Sequence, residues 1–169
     1  RDTRFFNVIP VVAGWTTAEK AAAAEGIDFS VPAFDARNPD NEPTPGSFRA
    51  TLLSDLEAQV RSGGGASLGR INEETNTLHY VRAIELDASC MICHGDPAQY
   101  DPDGDGRDPL GFPMEGWEIG DTHGAYEVAM PLDDLYVTLA DDLPVRVARH
   151  GDRVPNVELK FVTDEYDRL

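Results

Sequence analysis

Apolar positions recur at helical spacing in two parts of the chain and alternate with polar ones in others, and this contrast sets the first expectation of fold. Phe5, Ile9 and Val12 are followed, after Thr17, by an alanine-rich run. That pattern predicts helix on both sides of a break near Pro10 to Gly14, with Thr16 or Thr17 capping the second piece. From Gly26 to Gly46 the chain is rich in Pro and Asn, and Arg37-Asn38-Pro39-Asp40-Asn41-Glu42-Pro43 reads as an ordered loop rather than regular structure. Ser47 then opens a helix to Arg61, with Leu53, Leu56 and Val60 along one face.

Beyond the Ser62-Gly63-Gly64-Gly65 break the period changes to that of strands. Ser67 to Asn72 and Leu78 to Leu86 are joined by Glu-Glu-Thr-Asn-Thr, a hairpin turn, and a further strand runs from Gly124 to Pro131. The tail from Asp133 offers a short helix and then an extended segment from Val157 to Val162. Helices first and antiparallel strands later predict an α+β domain over residues 1–132, with residues 133–169 as a C-terminal extension of unknown role.

Composition narrows the function. The 169 residues carry 14 Lys+Arg against 31 Asp+Glu, a formal net charge of −17, so the surface repels phosphate backbones and anionic lipid headgroups. Nucleic acid is therefore not an expected partner. No apolar run approaches the roughly eighteen residues that span a bilayer, so the sequence predicts no membrane span in this chain and no signal peptide, although a membrane complex or a removed anchor stays compatible with it.

The two cysteines carry the chemistry. Cys90-Met91-Ile92-Cys93-His94 is a C-x-x-C-H, the spacing at which two thiols form thioethers with porphyrin vinyl groups while the adjacent imidazole lies under the iron. A structural zinc site would need a second pair of ligands, and no second Cys pair exists. A thioredoxin-like pair would need a strand-to-helix context, whereas Cys90 follows Glu85-Leu86-Asp87-Ala88-Ser89, a strand running out into a loop. One covalent haem c, held by Cys90 and Cys93 and ligated by His94, is the expectation.

The text around this motif resembles the PAS-like c-type haem sensor domain found outside the membrane in bacterial methyl-accepting chemotaxis receptors and sensor kinases, and also as a stand-alone protein. The resemblance covers roughly Phe5 to Leu132. It rests on the Arg-Asn-Pro-x-Asn loop at Arg37 to Asn41, on Cys-x-x-Cys-His-Gly-Asp-Pro at Cys90 to Pro97, and on Gly-Trp-x-x-Gly-Asp-x-His-Gly-Ala-Tyr-Glu-Val at Gly116 to Val128. It implies a PAS-like antiparallel sheet with N-terminal helices, a periplasmic or otherwise extracytoplasmic location, and a role in sensing redox state or a small haem ligand such as a gas. A redox or signalling protein is the partner so implied. An electron-transfer cytochrome, free or in a membrane complex, is the second reading, and a non-haem module stabilised by calcium the third. No nucleophile and base pair or carboxylate dyad stands out, so an enzyme is not expected.

The distal side of the iron decides between sensing and electron transfer. In the family the distal ligand often comes from the N-terminal helical region, and Phe5 to Trp15 here contains no His, Met or Cys, which favours an open or weakly ligated distal side. Within the chain His123, in a turn entering a strand, is the first alternative, against a plain turn histidine; His79, His150, Met114 and Met130 follow. Arg37, Asn38 and Asn41 offer the haem propionates a guanidinium and two amides from one loop, with Arg82 a second partner. Equally, the Asn side chains would simply build turns. Phe5, Phe6, Trp15, Phe112, Trp117 and Tyr126 are available to wall the haem.

A second constellation follows the haem motif. Asp101, Asp103 and Asp105 alternate ahead of Gly106 as in the first half of a calcium loop, but position twelve is Phe112 where such a loop wants Glu. Calcium would need completion by Asp108, Glu115, carbonyl oxygens or water; the alternative is a solvated acidic loop.

Overall fold

The computed structural model describes residues 9–133. Helix α1 spans Pro10–Ala24 with Pro10 in its first turn, where the missing N–H and fixed φ of proline suit a helix start. Gly14 therefore lies inside a continuous helix, and the expected helical piece before Pro10 falls outside the described residues. Thr16 and Thr17 are not caps: their hydroxyls donate back to the carbonyls of Val12 and Ala13, at 2.5 and 2.7 Å.

The Pro-rich stretch holds more regular structure than its composition suggests. Strand β1, Asp28–Ser30, and a 3-10 turn at Pro39–Asn41 both form within it. Helix α2 is Phe48–Arg61, capped by the Ser47 hydroxyl, which accepts the Ala50 N–H at 3.1 Å. Strands β2 (Ser67–Asn72) and β3 (Thr77–Glu85) make the expected hairpin, and β4 runs Thr122–Pro131. The strands form one antiparallel sheet in the order β1-β4-β3-β2. Helices against one antiparallel sheet make this an α+β domain of PAS-like form.

Alternation along β3 and β4 turns Val81 and Ala125 to one face, where Leu52, Leu53 and Leu56 of α2 close the core. Leu53 and Leu56 are fully buried. The same face holds a buried charge, Glu127, with no exposed surface. Its carboxylate is ion-paired with Arg49 of α2, lies 2.7 Å from His79 Nδ1 on β3, and accepts the Ser30 hydroxyl of β1 at 3.0 Å. A buried carboxylate persists only when paired and hydrogen-bonded like this. His79, which also packs 4.9 Å from the Phe48 ring, is thereby committed to the core rather than to the haem motif.

Between β3 and β4 the chain makes a long excursion that carries the C-x-x-C-H. Reciprocal backbone bonds clasp its base: Leu86 N–H donates to Asp121 and Gly120 N–H to Leu86, both at 2.8 Å. Two single-turn helices, α3 (Met91–His94) and α4 (Pro97–Tyr100), lie within it. Among the described residues no helix is long and apolar enough to cross a membrane.

Candidate functional site

Helix α3 begins at the Asp87 turn. The Asp87 carboxylate accepts the Ser89 N–H at 2.7 Å and Cys90 N–H donates to the Asp87 carbonyl at 3.0 Å. One helical turn then carries both thiols and the imidazole, since His94 N–H and Cys93 N–H both donate to the Cys90 carbonyl. Cys90 and Cys93 are free thiols, each half-buried. Burial, with the charge of Asp108 added and that of Arg37 opposing, pushes the Cys93 thiol above its ordinary range. Gly95 allows the chain to leave the turn: a Cβ there would stand 2.6 Å from the Tyr100 ring and 2.7 Å from the Met91 carbonyl.

The His94 ring is held at Nδ1 by a carboxylate. His94 Nδ1 lies 3.0 Å from Glu115 Oε2, so a proton on Nδ1 leaves Nε2 as the lone-pair nitrogen, the tautomer a metal requires. Glu115 in turn is gripped by Arg37 through Nε and, at 2.8 Å, through Nη2. Partial burial would raise the Glu115 carboxyl, but the hydrogen bonds and charge of Arg37, with a smaller share from His94, outweigh it and hold the group below the ordinary glutamate range.

His123, at the start of β4, joins the same cluster. Its ring centroid is 5.7 Å from that of His94 and 5.0 Å from that of Trp117. Trp117 is anchored through the backbone, its main-chain N–H donating to the His94 carbonyl at 2.8 Å. Desolvation, followed by the nearby His94, pushes His123 below the ordinary histidine range. Gly124 beside it has φ +71°, and a Cβ would meet the Pro32 carbonyl at 2.6 Å and Ala33 at 2.7 Å, so only glycine lets β4 pass this close.

A cleft of about 490 Å³ opens at His123 and Trp117 and is walled by Phe34, Val60, Arg61 and Glu57 among others, a size within the range of cofactor pockets. The Trp117 indole N–H is buried there without a hydrogen-bond partner, an orphan donor of the kind a bound polar group satisfies. Two free thiols and an imidazole held at Nδ1 on one turn have the chemistry of a covalent haem attachment; none of the three lines the cleft itself, which His94 adjoins through the rings of His123 and Trp117.

Other sequence-predicted residues lie elsewhere or serve differently. Arg37 reaches the C-x-x-C-H segment and bonds there to Glu115, Asp108 (2.7 Å), the Cys93 carbonyl (2.7 Å) and the Pro113 carbonyl (3.2 Å), with Phe112 under the guanidinium at 5.5 Å. Asn38 bonds to Asn41 at 3.4 Å and accepts the Asp40 N–H, which builds the 3-10 turn. Arg82 pairs across the sheet with Tyr126 and lines a separate shallow cleft with it.

The acidic loop is stitched to its own backbone. Asp101 accepts the N–H groups of Asp103, Gly104 and Gly106, and Asp105 that of Arg107. Asp108 is turned away and buried, one oxygen on Arg37 and the other on the N–H groups of Leu110 and Phe112. Among the described residues no three His, Cys, Asp or Glu side chains gather closely enough to hold a metal ion. Phe5, Phe6, His150 and the tail beyond Asp133 lie outside the described residues. Phe34, Val60, Arg61 and Glu57 were not expected at the cleft, and no local pattern in the sequence marks them.

The fold and this cluster define a class: PAS-like α+β domains with a C-x-x-C-H turn set between two central strands. Within it, the chain belongs to the Tll0287-like family, whose sequence profile matches residues 3–131. A solved structure described as the cyanobacterial haem protein Tll0287 shares the fold at a TM-score of 0.56 and 22% identity, covering 78% of this chain and 77% of that one. Among proteins with curated descriptions none matches.

Proposed function

We propose that this domain carries one haem c, bound through Cys90 and Cys93 with His94 as the proximal ligand, and that it senses redox state or a small haem ligand outside the cytoplasm. The observation that carries the reading is the single turn on which two free thiols precede an imidazole whose Nδ1 is already held by Glu115. The description of the solved relative as a haem protein supports haem as the group bound. When bound, the iron supplies a one-electron couple and an axial position whose occupancy responds to ligands. The chain's own residues orient the proximal imidazole, wall the cleft with Phe34, Val60 and Trp117, and offer the Trp117 N–H and Arg61 to a bound polar group. Such a domain passes its state to a redox or signalling protein, and its chemistry is exchange of an electron or ligand rather than turnover of a substrate.

His123 favours a second reading, an electron-transfer cytochrome. Its ring centroid lies 5.7 Å from that of His94, so His123 is the imidazole that would hold the iron as a second ligand opposite His94. Optical spectra of the purified protein, ferric and dithionite-reduced, with and without CO, separate these readings. A c-type spectrum whose reduced Soret band shifts with CO supports ligand sensing, with an open or displaceable distal face. One that ignores CO points to a firm sixth ligand, and then His123→Ala should restore the CO response. No haem spectrum would discard both.

A further inference from the structure

One guanidinium ties the proximal histidine to a loop far away in sequence. His94 Nδ1 meets Glu115 at 3.0 Å, and Arg37 grips both oxygens of that carboxylate. The same Arg37 donates to the Cys93 carbonyl and to buried Asp108, each at 2.7 Å. Arg37 thus holds the turn that bears Cys93 and His94 against the segment that bears Glu115. The side chains of Arg37 and Glu115 are 21% and 31% exposed, partly withdrawn from water, so the pair is screened less than a surface ion pair.

We propose that Glu115, oriented by Arg37, is a positioning residue for the proximal ligand and holds the haem at a lower midpoint potential than a neutral partner would; this deepens, and rests on, the haem reading above. Two effects act together. A carboxylate accepting the Nδ1 hydrogen fixes the ring's rotation and tautomer, so that Nε2 is the ligating nitrogen. It also draws the Nδ1 proton toward itself, making the imidazole a stronger donor, which stabilises the ferric over the ferrous state. An ion pair serving the fold alone would need Arg37 and not the imidazole; here Oε2 is shared between the two.

The test compares midpoint potentials of the haem-loaded parent with Glu115→Gln, Glu118→Gln and Arg37→Lys. Glu118 is an exposed carboxylate three residues on, so its neutralisation reports the effect of charge alone. Glu115→Gln should raise the potential by several times the Glu118→Gln change and lower the iron–histidine stretching frequency in the resonance Raman spectrum of any five-coordinate reduced form. Arg37→Lys keeps the charge but cannot grip both Glu115 oxygens while reaching Asp108 and the Cys93 carbonyl, so it should move the potential the same way. Should Glu115→Gln fail to load haem, the Arg37→Lys potential decides. Equal shifts in the two glutamine variants, with c-type absorbance intact, would overturn the proposal and leave the haem reading standing. A parent without c-type absorbance would remove both.

Discussion

Replacing Asp108 tests whether this carboxylate is a structural anchor rather than a member of an open acidic loop. Its side chain has no exposed surface. One oxygen is 2.7 Å from Arg37 Nη1, and the other accepts the N–H groups of Leu110 and Phe112 at 2.8 and 2.9 Å. Removing one partner of a buried ion pair costs about 3–5 kcal/mol, because the other charge is left uncompensated. Arg37 is about a fifth exposed and keeps its contact with Glu115, so it recovers part of that cost through water. The two orphaned N–H groups add about 1 kcal/mol each where water cannot reach them. Asp108→Ala should therefore lose about 3–4 kcal/mol, and Asp108→Asn, which keeps an oxygen for the turn, about half as much. Urea unfolding followed by circular dichroism reads both, with Asp103→Ala, at an exposed position, as the control that should leave the midpoint where it is. If Asp108→Ala unfolds no more easily than Asp103→Ala, or only when calcium is present, the anchor assignment is wrong.

Three further outcomes follow from the packing. Glu127→Ala should cost about 2–4 kcal/mol in the same assay, since it leaves His79 without its carboxylate in the core while Arg49, more than a third exposed, recovers part of the loss through water and Asp28; a loss below about 1 kcal/mol would mean the network is not coupled. Gly14 is exposed within α1, and a Cβ there meets nothing within 4 Å, so Gly14→Ala should stabilise by about 0.5–1 kcal/mol, and a destabilised variant would contradict a continuous helix. The Asp101 carboxyl is held below its ordinary range chiefly by the Gly106 N–H, with those of Gly104 and Asp103 adding to it. A folded-state value below the unfolded one contributes stability that is present above the unfolded pKa of about 3.9 and is lost as pH falls through the folded value. The gap in stability between the parent and Asp101→Asn should accordingly be present at neutral pH and close on acidification below the aspartate range; a gap that widened instead would reverse the assigned sign.

The features legible before folding lie close together along the chain. The β2–β3 hairpin, the capped helix after Ser47 and the C-x-x-C-H turn each depend on neighbours a few residues away, so period, cap and spacing suffice to read them. Strand β1 escaped that reading because three residues have too little pattern of their own, and they are extended because β4, about a hundred residues on, pairs with them. Pro10 was visible as a break, but a proline in a first turn is compatible with a helix that runs on through Gly14. The site divides in the same way. Cys90, Cys93 and His94 could be named from spacing alone, and His123 only as one of several candidates. Its place beside His94 and Trp117 follows from where β4 begins in the sheet. Arg37 was legible as a residue of interest and Glu115 only as an accessory acid, for they stand 78 positions apart. The folded chain brings them together beside His94, because a guanidinium finds its carboxylates by distance in space, which no local pattern records.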